Sequence, residues 1–472
     1  QIPIRFWITP DFISASAVRF CKMQSDIIRK YKKPQDFITT NGMFGNLDNH
    51  EMMDECLDVY TYDSYPNFAY CLCEDPKHSD DLNDRKWSRN LSEVRSVCPH
   101  FGIMEQQSGA NGWNTRMEAP APKPGQMMLW TMQSIAHGAD YVSFFRWRTA
   151  VIGTEIYWHG ILDYDNRDNR KLSEVHRIWK RIQAVNEMAG AEYQAEFGLV
   201  RDYDNIWDSQ LDVWHMRLAK KSEKEIFTAS QISHTPMDMV YLLEGTEAEE
   251  LMKYPVLIYP HPLILTEKRA EVLEQYVKAG GCLILGCRTG QKDENGRCVM
   301  QPMPGLLSSL AQTDVKEFTF IGPADDAVFM DWQGKQVETG LFNDILATTG
   351  PDVRILAKYS SNYYEGRPAL AETVCGKGKV LHFGGTFTRE NVKEFLAYTG
   401  VLSPYQELVE VPEACEIAMR VKDGKKYLFV LNYDKEPQKI VLKEAVMDMD
   451  TKDEVQGNVL LKGYETKVYR IF

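Results

Sequence analysis

Phe101-Gly-Ile-Met-Glu-Gln-Gln-Ser-Gly-Ala-Asn-Gly-Trp113 begins as a short apolar run, meets a carboxylate at Glu105 and opens into a polar loop that closes on an indole. A run this short, stopped this abruptly, predicts a strand that delivers its last residues to a loop. In barrels of parallel strands the chemistry sits at that junction. The same pattern recurs around it. Residues 14–31 carry Val18, Cys21, Ile27 and Ile28 at helical spacing and end in a basic turn suited to a helix C-terminus. Strands are predicted at 36–41, 57–62, 100–105 and 139–147, and helices at 127–137 and 170–188. Only a short extended segment is expected ahead of the first helix. Strands alternating with helices imply parallel pairing and right-handed crossovers. Four strand units are half of the eight that close a barrel, so this region reads as an open sheet or as half of a barrel.

A different core follows. Nearly continuous apolar runs at 239–243, 256–259, 282–285 and 380–383 read as parallel strands covered on both faces. The helix predicted at 266–279 has Thr266 to cap its first turn and Gly280-Gly281 to stop its last. Together these describe an open, doubly wound sheet. Beyond residue 403 the period changes to strict alternation, and 415–421 pairs with 427–433 across Asp423-Gly424 as a hairpin. The expected organisation is an α/β barrel portion at 1–192, a second α/β domain at 193–404 and a small antiparallel β domain at 405–472.

Composition narrows the partners. A chain of 472 residues is too long for one core. Hydrophobic residues at 44% and charged residues at 26% are ordinary for a globular protein. A formal net charge of -13 with no basic stripe argues against nucleic acid, and no apolar run reaches the length of a membrane span. A neutral or weakly charged substrate fits best. Ten cysteines show no framework spacing, which points to a reducing, cytoplasmic compartment. Cys71-x-Cys73 with Asp75 and His78 would be cramped as four ligands on one loop, so neither a metal nor a cofactor is expected. Cys287 follows a strand as a nucleophile would, but its nearest candidate base, His261, is remote in sequence, and a plain turn is expected there. Gly376-Lys-Gly-Lys379 and Gly384-Gly385 lack phosphate-loop spacing. Asp202 and Asp204 read as a solvated pair. The sequence begins at Gln1 with neither an initiator methionine nor a signal-like region, which leaves a targeting segment open.

The fourth strand runs into Phe144-Phe-Arg-Trp-Arg148 and then Gly153-Thr-Glu-Ile-Tyr-Trp-His159. Two consecutive strand ends therefore carry carboxylates, aromatic rings and an imidazole. Sugars are held by such groups, because hydroxyls both donate and accept while apolar ring faces stack. A carboxylate at the first of these ends can attack or stabilise an anomeric centre. The competing reading is an aromatic packing corner with a structural salt bridge and a surface Glu105.

At these residues the chain resembles family 42 of the glycoside hydrolases, the retaining β-galactosidases. The resemblance rests on Met104-Glu-Gln-Gln-Ser-Gly109 with Trp113, on His137-Gly-Ala-Asp140, Phe145-Arg-Trp-Arg148 and Gly153-Thr-Glu155. It implies a barrel, a flavodoxin-like trimerisation domain and a small β domain in that order. It further implies Glu105 as the nucleophile, Trp113 beneath a galactose ring, and Glu155 and His159 on its hydroxyls. His159 follows Glu155 by four residues, where many members have three. In the family, the acid/base Glu is preceded by Asn at the end of the fourth barrel strand, and an Arg and a cysteine-ligated zinc site lie in that first half. The only Asn-Glu pair here, Asn186-Glu187, falls on the predicted long helix. The sequence thus resembles the second half of the barrel, strands five to eight, plus both accessory domains. What this implies is a homotrimeric β-galactosidase whose acid/base is absent from the chain. The alternatives are a fragment acting only in assembly or sugar binding, and an α-L-arabinopyranosidase of the same family.

Overall fold

The computed structural model describes residues 2–42, 45–66 and 82–472. Two compact units emerge, one of residues 16–194 with 403–472 and the other of 195–402 with the first 15 residues.

In the first unit the chain passes through α1 (Ile2–Arg29) from Ser16 onward, then α2 (Asn49–Cys56), β1 (Thr61–Ser64), α3 (Trp87–Val97) and β2 (Gly102–Gln107). There follow β3 (Asn111–Trp113), β4 (Arg116–Ala119), α4 (Gln126–Ala136), β5 (Tyr141–Phe145) and α5 (Arg170–Val185). Strands β1, β2 and β5 form one parallel sheet in that order, as βαβ alternation requires. The four expected strands become three among the described residues. The segment 36–41 forms no strand and contributes one parallel bridge, Asn41 to Thr61. The Ile38 amide is spent on the Asp58 carboxylate, and the Gly42 amide that follows the segment donates to the Thr61 carbonyl as part of that bridge. The segment ahead of residue 14, expected to be extended, is helical from Ile2. Helices α2 and α3 escape the sequence reading because both are short and flank loops.

The sheet packs on Tyr60, Leu91, Val94, Phe101 and Ile103, all buried without solvent contact. Helix α4 turns Leu129, Trp130 and Met132 toward Ala418, Tyr427, Phe429 and Leu431 of the C-terminal sheet. That sheet is antiparallel and includes the hairpin Cys415–Lys422/Lys425–Asn432 around Asp423-Gly424. Both turn residues have positive φ (50° and 76°), the conformation that suits a two-residue hairpin loop. A short strand β6 (Glu192–Tyr193) completes its edge against Cys415–Lys422. Burying this face buries charge as well. Glu416 accepts from Tyr433 (2.7 Å) and Ser88 (2.9 Å) and meets His137 Nε2 at 2.9 Å. Although burial opposes ionisation, His137, the nearby Arg85 charge and the Tyr433 hydroxyl hold its carboxyl down at about 2. The Arg420 guanidinium donates to the carbonyls of Ala191 and Ile135 and to Asp140. These contacts fix α4, whose Ser134 hydroxyl reaches Gln106 on β2.

In the second unit β7 (Phe197–Arg201), β8 (Met237–Tyr241), β9 (Val256–Tyr259), β10 (Cys282–Leu285) and the strand Gly378–Phe383 run parallel in the order β8-β7-β9-β10-Gly378–Phe383. Numbered along the chain this is 2-1-3-4-5, the flavodoxin-like doubly wound order. Four antiparallel strands extend it from Pro368–Cys375 outward. The helix Glu267–Ala279 is capped by Thr266, which accepts from the Arg269 amide, and ends at Gly280. Helix α6 (Tyr203–Leu211) follows β7 directly, and α7 (Val213–Ile232) follows it.

Candidate active site

Glu105 sits on β2 where the strand breaks register with both neighbours. Tyr62 of β1 faces Ile103, yet Asp63 faces Glu105, and toward β5 the shift falls between Ile103 and Gln106. One extra residue at Met104–Glu105 is a bulge, a device that re-aims a side chain at the end of a strand. It brings Glu105 level with Asp63, so the two carboxyls lie on the same side of adjacent strands.

Each oxygen of Glu105 then meets a different donor. The Tyr65 hydroxyl donates to Oε2 at 2.6 Å. Asn41 Nδ2 stands 3.5 Å from Oε1 and donates more closely, at 2.7 Å, to Asp63 Oδ1. Burial raises the Asp63 carboxyl to about 6, with Asn41 opposing and the Glu105 charge adding to the rise. Burial and the Glu105 carboxylate also push the Tyr65 phenol well above its usual range, so it remains a donor.

An aromatic cluster packs on Tyr65, whose hydroxyl holds this carboxylate. Trp158 is buried, with its ring 5.3 Å from Tyr65 and 4.7 Å from Trp113, both edge to face. Trp113, half-buried at the end of β3, carries the Arg116 guanidinium 4.9 Å over its ring. The loop bearing Glu155 and His159 is tied to the loop after β2 by two backbone bonds, Asn114 to Thr154 and His159 to Ala110. The approach is tight: a Cβ at Gly109 would lie 2.3 Å from the His159 carbonyl oxygen, so only glycine fits. Arg146, just past β5, clamps the second loop by donating to the carbonyls of Glu155 (2.8 Å) and Trp158 (3.1 Å), and it pairs with the Glu155 carboxylate at 3.4 Å. His159 Nδ1 lies 3.4 Å from Asp163, which leaves the rest of its ring toward Tyr164.

Of the four residues singled out in the sequence, Glu105 sits on β2, Trp113 ends β3, and Glu155 and His159 lie on a loop hydrogen-bonded to the segment that joins and follows those strands. Sequence reading missed Asn41, Asp63 and Tyr65. Two of these were within reach, because period-two alternation through Asp63-Ser-Tyr65 puts both side chains on one face. Asn41 was not, since it comes to the site through an isolated bridge. The sequence reading of Asp202 and Asp204 as a solvated pair is wrong. Asp202 is fully buried, caps α6 through the Asn205 amide, accepts from Tyr259 and pairs with Arg269, which also binds Asp204 at 2.6 Å. Cys287 and His261 do meet (Sγ to Nδ1 3.6 Å), but both are sealed inside. Burial pushes the thiol well up and the imidazole down to about 3, which disfavours the thiolate a nucleophile needs. The segment with Cys71, Cys73, Asp75 and His78 lies outside the described residues.

Three family models match the chain in sequence order. They are described as β-galactosidase at residues 10–185, β-galactosidase trimerisation domain at 233–401 and β-galactosidase C-terminal domain at 415–470. The β-galactosidase BgaA of Clostridium cellulovorans is 31% identical over 90% of the chain, and LacZ of Heyndrickxia coagulans is 25% identical over 90%. The chain spans 62% of the length of each of these two relatives. Among solved structures, Gan42B, a family 42 β-galactosidase of G. stearothermophilus, superposes with a TM-score of 0.88 at 22% identity, covering 100% of this chain and 69% of that one. A β-galactosidase from Bacillus circulans sp. alkalophilus gives 0.85 at 24%, covering 98% and 67%. The likeness places the chain in the barrel-containing fold with additional domains.

Proposed function

From a chain that carries the three family 42 β-galactosidase segments in order, we propose a retaining hydrolase of terminal, non-reducing β-D-galactosides that works through a galactosyl ester on Glu105. The observation that carries this reading is the Glu105 carboxylate on β2, held by the Tyr65 hydroxyl, with Trp158 packed on Tyr65 and Trp113 packed on Trp158. In the first step a Glu105 oxygen bonds to the anomeric carbon as the bond to the leaving oxygen breaks. In the second, water takes the place of Glu105. Trp113 lies beneath the sugar ring, and Glu155 and His159 bind its hydroxyls. The leaving oxygen needs a proton from a second carboxyl about 5 to 5.5 Å from the nucleophile. The reading assigns that donor to no residue of this sequence. Glu187, of the Asn-Glu pair, instead engages Tyr427 and Arg470. Slow turnover of unactivated galactosides by these 472 residues alone follows. Assembly as a homotrimer belongs to the same proposal, supported by the trimerisation match at 233–401. The eight described cysteines are all thiols, which supports a cytoplasmic setting.

The test is an intact mass before and after incubation with a 2-deoxy-2-fluoro-β-galactoside bearing a good leaving group. Growth by one sugar, mapped to the peptide containing Glu105, is expected. A protein that binds galactose yet never gains that mass would be an assembly or sugar-binding module and no glycosidase.

A further inference from the structure

Two carboxyls and one amide sit together at the ends of β1 and β2, and the nucleophile reading uses only one of them. Asp63 and Glu105 are register partners on adjacent parallel strands. Asn41 Nδ2 has two hydrogens and two acceptors, Asp63 Oδ1 at 2.7 Å and Glu105 Oε1 at 3.5 Å. Its position is set independently by the parallel bridge from Asn41 to Thr61, in which the Gly42 amide donates to the Thr61 carbonyl. The amide is thus fixed to β1 and held chiefly by Asp63.

We propose that Asp63 and Asn41 are positioning residues for Glu105: the ionised Asp63 places a second negative charge beside the nucleophile, and Asn41 sets how strongly the two carboxylates feel each other. The inference rests on Glu105 being the nucleophile. Two like charges held this close disfavour the state in which both persist. Ester formation discharges Glu105, so an ionised Asp63 favours attack, whereas a protonated Asp63 withdraws that push. Among the described residues, the groups facing Asp63 are Glu105 and the phenols of Tyr62 and Tyr65. Burial pushes both phenols far above neutrality, so neither titrates in the working range. With Asp63 raised to about 6, reaction at Glu105 should carry an acid limb centred near that pH.

The experiment follows the pH dependence of labelling of the whole purified chain by 2,4-dinitrophenyl 2-deoxy-2-fluoro-β-D-galactopyranoside, read as the mass gained. In labelling, the Glu105 oxygen bonds to the anomeric carbon and dinitrophenolate departs with the bonding pair. It leaves without protonation, so the profile reports the nucleophile and not a proton donor. The wild-type rate is expected to rise through about pH 6. Asp63→Asn removes the titrating charge and should abolish the limb near that pH. Asn41→Ala removes the bond that lowers Asp63 and should move the limb up. A merely structural role would scale the rate equally at every pH. Limbs unmoved in both variants overturn the inference, and Asn41→Ala alone decides it if Asp63→Asn does not fold. A wild-type protein that is never labelled at any pH sinks the nucleophile reading instead.

Discussion

Two sheets in this protein each carry a carboxylate at or near the C-terminal end of a parallel strand, and they treat it in opposite ways. At the end of β7, Asp202 is fully buried and neutralised: Arg269 pairs with it, Tyr259 donates to it, and it caps α6. At the end of β2, Glu105 is half-buried, and its described partners are neutral donors, Tyr65 and Asn41, with a second carboxyl beside it. A charge matched by a cation in a sealed crevice adds structure and has nothing left to offer a ligand. A carboxylate held by uncharged donors next to another carboxylate is not neutralised by those partners. Position after a parallel strand therefore identifies a place where chemistry is possible, and the neighbours decide whether it is used.

Four substitutions break or sharpen that contrast. The largest effect is expected from Glu105→Gln, which should slow sugar labelling by ~1,000-fold or more while leaving the fold intact. Labelling at the wild-type rate would remove Glu105 from the mechanism. Next, Arg269→Met strands the buried Asp202 charge and should destabilise the 195–402 unit by about 3–5 kcal/mol in chemical denaturation. A change below about 1 kcal/mol would show that Asp202 is not the neutralised partner described here. Tyr65→Phe deletes a 2.6 Å hydrogen bond to a carboxylate, worth about 1.5–3 kcal/mol. It should slow labelling by ~10- to 100-fold with little change in the concentration needed for half-saturation. A loss confined to binding would assign Tyr65 to the sugar instead. The smallest effect belongs to Cys287→Ala, which removes one buried sulfur packed against Leu218 and Phe342. About 1 kcal/mol of stability and no change in labelling rate are expected. A drop in labelling would mean that the sealed cysteine couples to the site.

Much of the architecture was legible in one dimension. Strand and helix alternation, the four apolar runs of the doubly wound sheet, the Thr266 cap and the Asp423-Gly424 hairpin all lie where local pattern puts them, because each depends on residues within a few positions of one another. The site was half legible. Glu105, Trp113, Glu155 and His159 stood out by residue type at strand ends, but Asn41 did not, since 36–41 reads as a strand and forms only a bridge. Asp202 was misread for the complementary reason: nothing near it in sequence announces the guanidinium 67 residues away that neutralises it.

The sequence by itself determined which residues could do chemistry and on which kind of element each would sit. Only the tertiary structure decided which carboxylates stay chemically available. Glu105 acquires its donors from 40 and 64 residues away, and a one-residue bulge on β2 aligns it with Asp63. Hydrogen-bond partners and strand register are set by the packing of distant segments against each other, and side-chain periodicity along one segment carries no record of them.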